Sequence, residues 1–552
     1  MNKKKENLIL EDSESEFIYE KNKSNLNIHF NRIAFIFFVF LIISLIFSSK
    51  VIYLGYLHKE TNIKTIAKSD FRSSILDREE NILAKSVITI NIGINPKLVI
   101  NKKKLLLNLK LIFPNKNYHE VSKKLNSNKF FYFEKKIDQE KLDQLMLLGD
   151  KSIISENKIS RIYPHSYLSS HIIGQIDEDN NGISGIEKYF DYELRTSEEP
   201  IHLTIDTDLQ YLIREELLKS EEIFHNIGSA AILMDIKSGE ILSLVSLPDF
   251  DLNKRETLDD SNFMNKITKG VYELGSVFKT LTLAAGFENQ VIKPETVFKK
   301  LEKKIFCAGN SITEYDNKLP TELTAEQILV RSSNIGSVRI AQKIGMEDYK
   351  IFLNKLGVLN KIELEIEEVG QPLNFRWGKC KLATSSFGHG ITTTPLQLAK
   401  AYSIISNGGY EIKPTLIKKK VSNIQKKILT NDVSNKINPI LRKVVSTEDG
   451  TASFADISGY EIAGKTGTAD KVKNGIYTKD KINTFISVFP SSDPKFVLLV
   501  LLDEPKPNKE YVYTLSNGQK YKGNWRNTAG WTTVLISGNI IKNIGPILAT
   551  KY

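Results

Sequence analysis

One apolar run near the N-terminus limits most strongly what this chain can fold into. Residues 33–47 are all apolar except one serine, and a basic residue bounds each end of the run. With the two serines that follow, the uncharged stretch reaches 17 residues, the short end of what a helix needs to cross a bilayer. The sequence therefore predicts a single membrane anchor over residues 33–57, preceded by a polar tail over residues 1–32.

The surroundings of this run bear on where the rest of the chain lies. A cleaved signal peptide is the alternative to an anchor, but no cleavage site of the A-x-A type follows the run. Lys and Arg are balanced on its two sides, so charge does not orient it. A short tail before the run and some 500 residues after it favour a cytoplasmic N-terminus, with the bulk of the chain outside the inner membrane.

Length, charge and cysteine usage narrow the function classes. A chain of 552 residues is too long for one core and predicts two or three domains. The net charge is +11, yet Lys is spread along the whole chain without an Arg/Lys stripe carrying interleaved aromatics, which argues against a nucleic-acid partner.

Cys307 and Cys380 lack the spacing of a metal site or redox pair. The sequence favours two buried thiols over a disulfide.

Composition changes divide the exported part of the chain near residues 196–200, a polar stretch that ends in Pro. Residues 60–195 are rich in Lys, Asn and Ile and hold no evident catalytic cluster. Beyond residue 200, the patterns at 230–235 and 240–245 predict a hairpin, and those at 484–489 and 496–502 predict two late strands. Helical patterns lie between the two pairs. One sheet built from distant segments and covered by helices is therefore expected.

Ser276 and Lys279 are the first candidates for chemistry. They have the spacing Ser-x-x-Lys and open an apolar helical pattern that runs to residue 287. Side chains three positions apart share a helix face, so the hydroxyl and the amine are expected to lie together near a helix N-terminus. Apolar neighbours desolvate the amine, which lowers its pKa and suits it to act as a base. Alone the motif is weak, because the same spacing recurs at Ser155 and Ser492.

Two further motifs distinguish Ser276 from the other serines that have this spacing. Ser332-Ser333-Asn334 follows 56 residues after the nucleophile, and Lys465-Thr466-Gly467-Thr468 contains the single Lys-Thr-Gly of the chain. Their order is that of Ser-x-x-Lys acyl enzymes. A Ser/Asn loop relays a proton and binds a peptide amide, whereas a Lys-Thr-Gly strand offers a cation and hydroxyls to a carboxylate, with a Gly that permits close approach.

Other blocks carry a family resemblance. They are residues 72–78, 161–164, 182–187, 203–206, 272–276, 386–390 and 394–399. Through these blocks and the three motifs, the chain resembles the class B penicillin-binding proteins over roughly residues 60–545. Ser73 stands where the family usually has Gly, and Leu274 where it usually has Pro. Both departures concern turns and not the reacting groups.

The resemblance implies an α/β (α+β) serine-transpeptidase fold over residues 200–552, with a central antiparallel sheet covered by helices and an all-helical lobe. An elongated α+β pedestal domain over residues 60–195 would precede it, after the membrane helix. The family's activity is peptidoglycan D,D-transpeptidation. No metal or organic cofactor is implied. The implied partners are stem peptides, β-lactams, a membrane glycan polymerase and division proteins.

The resemblance also implies roles for the motif residues. Ser276 attacks the carbonyl between the two terminal D-alanines of a donor stem, Lys279 takes its proton, and Ser332 passes that proton to the departing D-alanine. Asn334 holds a peptide amide. The backbone N–H groups of Ser276 and Thr468 form the oxyanion hole. The Lys465, Thr466 and Thr468 side chains engage the terminal carboxylate, while His389 is expected to be a packing or loop residue.

Within the family, Ile335-Gly336 after the Asn motif resembles the septal, FtsI-type members. The region before residue 196 is too short for a glycan-polymerising domain, which excludes the bifunctional class A type. An elongation-type transpeptidase and a catalytically silent division scaffold are the alternatives. β-Lactamases, D,D-carboxypeptidases and β-lactam sensors share the motifs but lack the pedestal domain.

Overall fold

The computed structural model describes residues 23–57, 71–254, 263–307, 309–418, 426–473, 475–515, 518–523 and 526–552. The chain divides into an N-terminal unit up to Lys68 and a second, compact unit that extends to Tyr552. The two units are described separately below.

The N-terminal unit contains one long helix, α1, at Lys23–Leu57. Within it, Ala34–Tyr53 is long and apolar enough to cross a membrane, and none of this window is buried in the protein. At 1.5 Å per residue, its 20 residues extend about 30 Å, which matches the hydrocarbon thickness of a bilayer. The helix begins ahead of the predicted span, within the stretch predicted as a tail; residues 1–22 lie outside the described residues.

The first part of the compact unit is an α+β region built on a long strand. Strand β2 pairs antiparallel with β1, β3 and β4, and β1 pairs in parallel with β5. The strands are β1 Ile75–Leu76, β2 Ile82–Ile94, β3 Phe131–Ile137, β4 Ile153–Ile162 and β5 Ile201–His202. The helices are α2 Lys102–Ile112, α3 Tyr118–Asn126, α4 Gln139–Leu147, α5 Ser170–Ile173, α6 Gly185–Tyr189 and α7 Asp191–Thr196. The far end of the sheet and α2–α4 enclose a small core of their own.

A buried ion cluster joins the segments at the other end of this region. The Glu187 carboxylate on α6 accepts from Arg72 and from Arg161, at 2.9 and 2.7 Å, and all three side chains are almost fully buried. Arg72 also pairs with Asp191 at 2.6 Å. The carboxylates of Glu187 and Asp191 compensate the charges of the two guanidinium groups, and such buried clusters fix geometry more than they add stability. The cluster holds the chain before β1, strand β4 and helix α6 together.

The second part of the compact unit is organised by a five-stranded antiparallel sheet in the order β12-β13-β14-β6-β7. The strands are β6 Gly228–Asp235, β7 Ile241–Leu247, β12 Ala463–Lys473, β13 Ile476–Phe489 and β14 Phe496–Asp503. Every residue of β14 is buried, as expected for a continuously apolar central strand. The predicted hairpin and the two late strands are confirmed. Strand β12, which carries the Lys-Thr-Gly motif, lies at the edge.

Helices cover this sheet and form a separate lobe. Helices α8, α14, α15 and α16 pack against the strands, and the remaining helices surround the segment after Ser276. The helices are α8 Thr207–Phe224, α9 Phe278–Glu288, α10 Ala325–Val330, α11 Asn334–Ile344, α12 Met346–Lys355, α13 Lys379–Ser385, α14 Pro395–Ser406, α15 Asn431–Ser446 and α16 Thr533–Lys551. Short paired strands complete the region: β8 Val297–Phe298, β9 Lys304–Cys307, β10 Asn310–Thr313, β11 Leu323–Thr324, β15 Val512–Thr514 and β16 Lys520–Lys522. The predicted fold class is confirmed.

The prediction of two free thiols is wrong. Cys307, at the end of β9, and Cys380, in α13, form a disulfide across 73 residues of sequence. The pairing brings together two elements that are distant in the chain, so spacing alone carried no signal for it.

Candidate active site

Ser276 lies in a single 3-10 turn, Gly275–Val277, directly before α9. A hydrogen bond from α14 holds the turn in place, because the Tyr402 hydroxyl donates to the Val277 carbonyl at 2.8 Å. Gly275 has φ +62°, and a Cβ there would lie 2.7 Å from the Thr468 carbonyl oxygen. The turn therefore needs glycine both for its backbone conformation and for its contact with strand β12.

Lys279 lies in the first turn of α9 and is buried. Its Nζ donates to the Ser332 carbonyl at 2.5 Å and to the Ser332 hydroxyl at 3.0 Å. The structure thus brings Lys279 to the Ser332 loop, and the hydrogen bonds recorded for its amine go there and not to Ser276. The i, i+3 spacing predicted that the two side chains of the motif share a helix face, but it did not predict this partner.

Ser332 stands in the left-handed backbone region, with φ 58°. A non-glycine residue is held there only when its surroundings fix it, and such strain concentrates at functional sites. The Ser332 hydroxyl accepts from Lys279 on one side and from Lys465 Nζ, at 2.9 Å, on the other. Because both lysines donate to its oxygen, the Ser332 O–H remains available to another acceptor, and Ser332 itself lines the cavity.

Lys465 is fully buried on edge strand β12. Besides Ser332, its Nζ contacts the carbonyl and hydroxyl of Thr466 at 3.2 and 3.3 Å. The Thr466 hydroxyl also shares a 2.8 Å hydrogen bond with Thr451. The next residue, Gly467, faces the nucleophile turn, since a Cβ there would lie 2.3 Å from the Leu274 carbonyl oxygen.

Burial shifts the protonation of both lysines. Desolvation lowers the pKa of Lys279 to about 7, against a smaller raising effect from the Glu314 carboxylate. Desolvation, and then the charge of Lys279, lower the pKa of Lys465 well below its usual value. A neutral amine at Lys279 near neutral pH accepts a proton, which an ordinary lysine does not.

Asn334 is held at the start of α11 by a carboxylate that sequence reasoning missed. Glu314, buried at the end of strand β10, accepts from the Asn334 N–H at 2.7 Å, the Ser333 hydroxyl at 2.6 Å and the Ile335 N–H at 3.0 Å. The Asn334 side-chain amide donates to the Thr313 carbonyl at 2.8 Å. A carboxylate at a helix N-terminus satisfies free N–H groups and complements the helix dipole.

These elements enclose a cavity of about 720 Å³. Of the predicted site residues, five line it: Ser276, Ser332, Asn334, Thr466 and Thr468. Lys279, Lys465 and Gly467 lie beneath this lining, where they contact the residues above them. The Thr468 hydroxyl accepts from the Ala529 N–H at 3.0 Å, so its proton is free to point into the cavity.

The rest of the cavity wall comes from segments that the motifs did not mark. The loop after α13 contributes Phe387, Gly388 and His389, and a Cβ at Gly388 would lie 2.1 Å from the Gly275 carbonyl oxygen. Aromatic residues line another part of the wall: Tyr315, Phe454, Tyr521 and Trp531. Glu314 and Thr451 are single polar residues in connecting segments, and no local pattern in the sequence distinguished them from surface residues.

Comparison with known families places two domains along the chain. Residues 229–524 match the model of the penicillin binding protein transpeptidase domain. Residues 70–217 match the model of the penicillin-binding protein dimerisation domain. The first match alone spans more than half of the chain and contains all three motifs.

Named relatives align over most of their length. The chain is 30% identical to the peptidoglycan D,D-transpeptidase FtsI of Buchnera aphidicola subsp. Baizongia pistaciae, over 85% of this chain and 88% of that protein. It is 28% identical to the probable peptidoglycan D,D-transpeptidase FtsI of Caulobacter vibrioides, over 87% and 82%. It is also 28% identical to the stage V sporulation protein D of Bacillus subtilis, over 96% and 87%.

A solved structure shows the same fold. The crystal structure of penicillin binding protein 3 from Mycobacterium tuberculosis, complexed with aztreonam, superposes with a TM-score of 0.66. The match covers 87% of this chain and 97% of that one at 20% identity. At that identity the likeness establishes the arrangement of the two domains' secondary structure and nothing about ligands.

Proposed function

Because the chain belongs to the penicillin-binding protein transpeptidase family, we propose that it is a peptidoglycan D,D-transpeptidase of septal wall synthesis that works through an acyl-enzyme on Ser276. One observation carries the proposal. Ser276 and Ser332 line the same cavity. The Ser332 hydroxyl accepts hydrogen bonds from two buried lysines, Lys279 at 3.0 Å and Lys465 at 2.9 Å. This arrangement supplies a nucleophile, a base with a lowered pKa and a proton relay.

In the acylation step, the Ser276 hydroxyl oxygen attacks the carbonyl carbon between the two terminal D-alanines of a donor stem. Lys279 takes the serine proton. The C–N bond then breaks, and Ser332 delivers its proton to the nitrogen of the departing D-alanine while it receives the proton held by Lys279, which donates to the Ser332 hydroxyl at 3.0 Å. Ser332 lines the cavity, and its O–H is available to the leaving group because both lysines donate to its oxygen. The N–H groups of Ser276 and Thr468 stabilise the oxyanion.

Substrate binding uses the strand and the helix that flank the nucleophile. The Thr466 and Thr468 hydroxyls line the cavity and bind the terminal carboxylate. Lys465 acts on that carboxylate from beneath, through the hydrogen bond that it donates to the Thr466 hydroxyl at 3.3 Å, since it is itself buried. Asn334 binds a peptide amide of the donor.

In the second step, the amine of another stem attacks the acyl-enzyme carbonyl. A new amide bond forms, the ester bond to Ser276 breaks, and the serine oxygen regains a proton from the attacking amine through the lysine relay. A β-lactam resembles the D-alanyl-D-alanine terminus, so it acylates the same serine. Its ring stays attached after opening, which blocks the approach of the acceptor.

The named relatives and helix α1 support the proposed cellular role and location of the protein. Two FtsI relatives favour the septal machinery over elongation, with a membrane glycan polymerase and division proteins as partners. Helix α1 serves as a single membrane anchor with a cytoplasmic N-terminus, which leaves the compact unit outside the inner membrane.

Labelling with a fluorescent penicillin tests the enzymatic part. Membranes containing the wild-type protein are expected to give a long-lived adduct that mass spectrometry locates on Ser276, and Ser276→Ala is expected to give none. Ser155→Ala, which alters another Ser-x-x-Lys serine on exposed strand β4, is the matched control and is expected to label normally. Absence of an adduct on folded wild-type protein would reject the enzyme and favour the scaffold.

A further inference from the structure

The cavity wall carries a carboxylate that the mechanism above does not use. Glu273 precedes the nucleophile by three residues and lines the cavity. Its side chain retains 12% exposure. The carboxylate is therefore shielded from bulk water but accessible to a molecule that occupies the cavity.

Two neighbours fix the orientation of this carboxylate. The Tyr477 hydroxyl on β13 donates to Glu273 Oε1 at 2.9 Å. His389 Nδ1 lies 3.5 Å from Glu273 Oε2, and the imidazole stacks on the Tyr477 ring with centroids 4.8 Å apart. Burial, together with the negative charge of Glu273, raises the pKa of Tyr477, so the phenol stays protonated and keeps donating.

A second carboxylate adjoins the first. Asp470 also lines the cavity, and its charge contributes to the raised pKa of Tyr477, so it lies near the same ring. Lys481 pairs with Asp470 from the neighbouring strand and lines the cavity as well. We call Glu273, His389, Asp470 and Tyr477 the rim cluster. Among the described residues, Lys481 and Arg526 are the Lys and Arg side chains of the cavity lining. Lys481 pairs with Asp470, so Glu273 is the carboxylate placed to bind a cation.

The register of strand β12 places the rim cluster relative to the substrate. Thr466, Thr468 and Asp470 alternate along the strand and all line the cavity. Strand β12 is at the edge of the sheet, so its open side can pair with an extended peptide. In the proposed function, the donor carboxylate meets Thr466 and the reacting carbonyl meets the Thr468 N–H. The donor chain then continues past Asp470, about 7 Å further along the strand.

We propose that the rim cluster is the subsite for a cationic side chain on the donor residue that precedes the two D-alanines, namely a diamino acid with a free amine. This inference rests on the proposed function. The Glu273 carboxylate accepts one hydrogen bond from Tyr477 and keeps further lone pairs for an ammonium, which is a donor of three. Charge-assisted hydrogen bonds of this kind are the strong ones.

The subsite gives the two stems different roles although both carry the same amine. An amine held by Glu273 and Asp470 stays protonated, and a protonated amine is not a nucleophile. The donor's own amine is thereby kept from attacking the acyl-enzyme. The attacking amine must come from a second stem that approaches through the open side of the cavity.

The test compares two donors that differ in one charge. Wild-type enzyme is given a stem pentadepsipeptide ending in D-alanyl-D-lactate, with either a free or an acetylated ε-amine at the third residue, and kcat/KM for acylation is measured. The free amine is expected to be preferred by about ten-fold, as expected for one charge-assisted contact. In Glu273→Gln the preference is expected to fall below about three-fold, mainly through KM.

Three further variants separate a specific subsite from general damage. Tyr477→Phe removes only the hydroxyl that orients Glu273, so an intermediate preference is expected, with KM raised and kcat kept. Lys481→Gln removes the competing ammonium, so the preference for the free amine is expected to increase. Glu461→Gln makes the same exchange at an exposed carboxylate outside the cavity and is expected to leave the preference unchanged.

Two results would overturn the inference. One is equal kcat/KM for the two donors in the wild type, and the other is a preference that persists in Glu273→Gln. Failure of the proposed function looks different, because Ser276 would then take up neither donor nor penicillin.

Discussion

At the scale of single residues, Ser332 is the residue that contacts both buried lysines of the site. It lies in a strained backbone conformation, with φ 58°, and its hydroxyl lies between two buried amines. Exposure of either amine to water would raise its pKa, and the amine would then be protonated at neutral pH. In the proposed mechanism, catalysis therefore depends on the burial of Lys279 as much as on its position.

The pH dependence of acylation tests this view. Burial lowers the pKa of Lys279 to about 7, and only the neutral amine accepts the Ser276 proton. The second-order rate constant for acylation by a penicillin is therefore expected to rise with pH and to level off above a midpoint near 7. Stopped-flow measurements from pH 5 to pH 9 would show it. A profile that is flat across this range, or that has not levelled off by pH 9, would exclude Lys279 as the base.

Glu314→Gln tests the carboxylate behind the Asn motif. The exchange leaves at least one of the N–H groups of Asn334 and Ile335 facing an amide nitrogen, and it removes a charge that raises the pKa of Lys279. The plateau rate of acylation is expected to fall by about 10–100-fold, and the midpoint is expected to move to lower pH. Acylation kinetics at several pH values would show both effects.

The matched control is Glu322→Gln, which alters a half-exposed carboxylate in a surface ion pair with Lys299. It is expected to leave the rate and the midpoint as in the wild type. A midpoint that moves upward in Glu314→Gln would contradict the assigned sign.

At the scale of elements, three glycines allow three segments to meet. Gly275 of the nucleophile turn contacts β12, Gly467 of β12 contacts the nucleophile turn, and Gly388 of the loop after α13 contacts Gly275. Because side chains are absent at these points, the backbone groups around Ser276 lie closer than ordinary packing permits. The proposed oxyanion hole thus depends on three elements and not on one motif.

Gly388→Ala is expected to separate these elements. Its Cβ would lie 2.1 Å from the Gly275 carbonyl oxygen, and its φ of +80° disfavours alanine. The free energy of unfolding is expected to fall by about 3 kcal/mol and acylation by about 100-fold, since backbone donors at the oxyanion would shift. Urea unfolding and penicillin acylation measure the two effects.

Gly345→Ala is the comparison, because Gly345 has φ +90° but nothing lies within 4 Å of its Cβ position. It reports backbone strain alone, expected at about 1 kcal/mol, with acylation retained. If both variants lose acylation equally, the contact at Gly388 is not the cause.

The sequence predicted the elements whose signal is local. The continuously apolar stretches became buried strands β6 and β14, and the spacing of Ser276 and Lys279 placed them at the start of α9. It did not predict Glu314, whose hydrogen bonds depend on how the β9–β10 hairpin docks on α11. Such contacts are tertiary and leave no periodicity to detect.

At the scale of the whole molecule, the disulfide between Cys307 and Cys380 connects two segments that form walls of the cavity. Cys307 ends β9, whose hairpin leads to Thr313 and Glu314 beneath Asn334. Cys380 lies in α13, which leads into the loop containing Gly388. The bond thus closes a long loop of chain around the cavity, and its removal is expected to loosen both walls together.

The double variant Cys307→Ser, Cys380→Ser tests this tie. Closing a loop of this length in the unfolded chain is worth about 2–4 kcal/mol of stability. The variant is expected to unfold at a lower temperature than the oxidised wild type and to acylate more slowly at 37 °C. Differential scanning calorimetry and penicillin labelling provide the measurements.

Reductant supplies the control. Dithiothreitol is expected to lower the melting temperature of the wild type to that of the double variant and to leave the variant unchanged. Equal melting temperatures for the oxidised and reduced wild type would show that the bond does not contribute to stability.

The disulfide also bears on when the protein matures. Thiols stay reduced in the cytosol and pair after export. On the proposed orientation, a newly made chain reaches the membrane before the bond between Cys307 and Cys380 has formed, and oxidation joins the two walls of the cavity after export. With the compact unit outside the membrane, as proposed, the last covalent step of folding and the first encounter with cell-wall polymer occur in the same place. A cell that loses its oxidising machinery would then weaken its septum through this one bond.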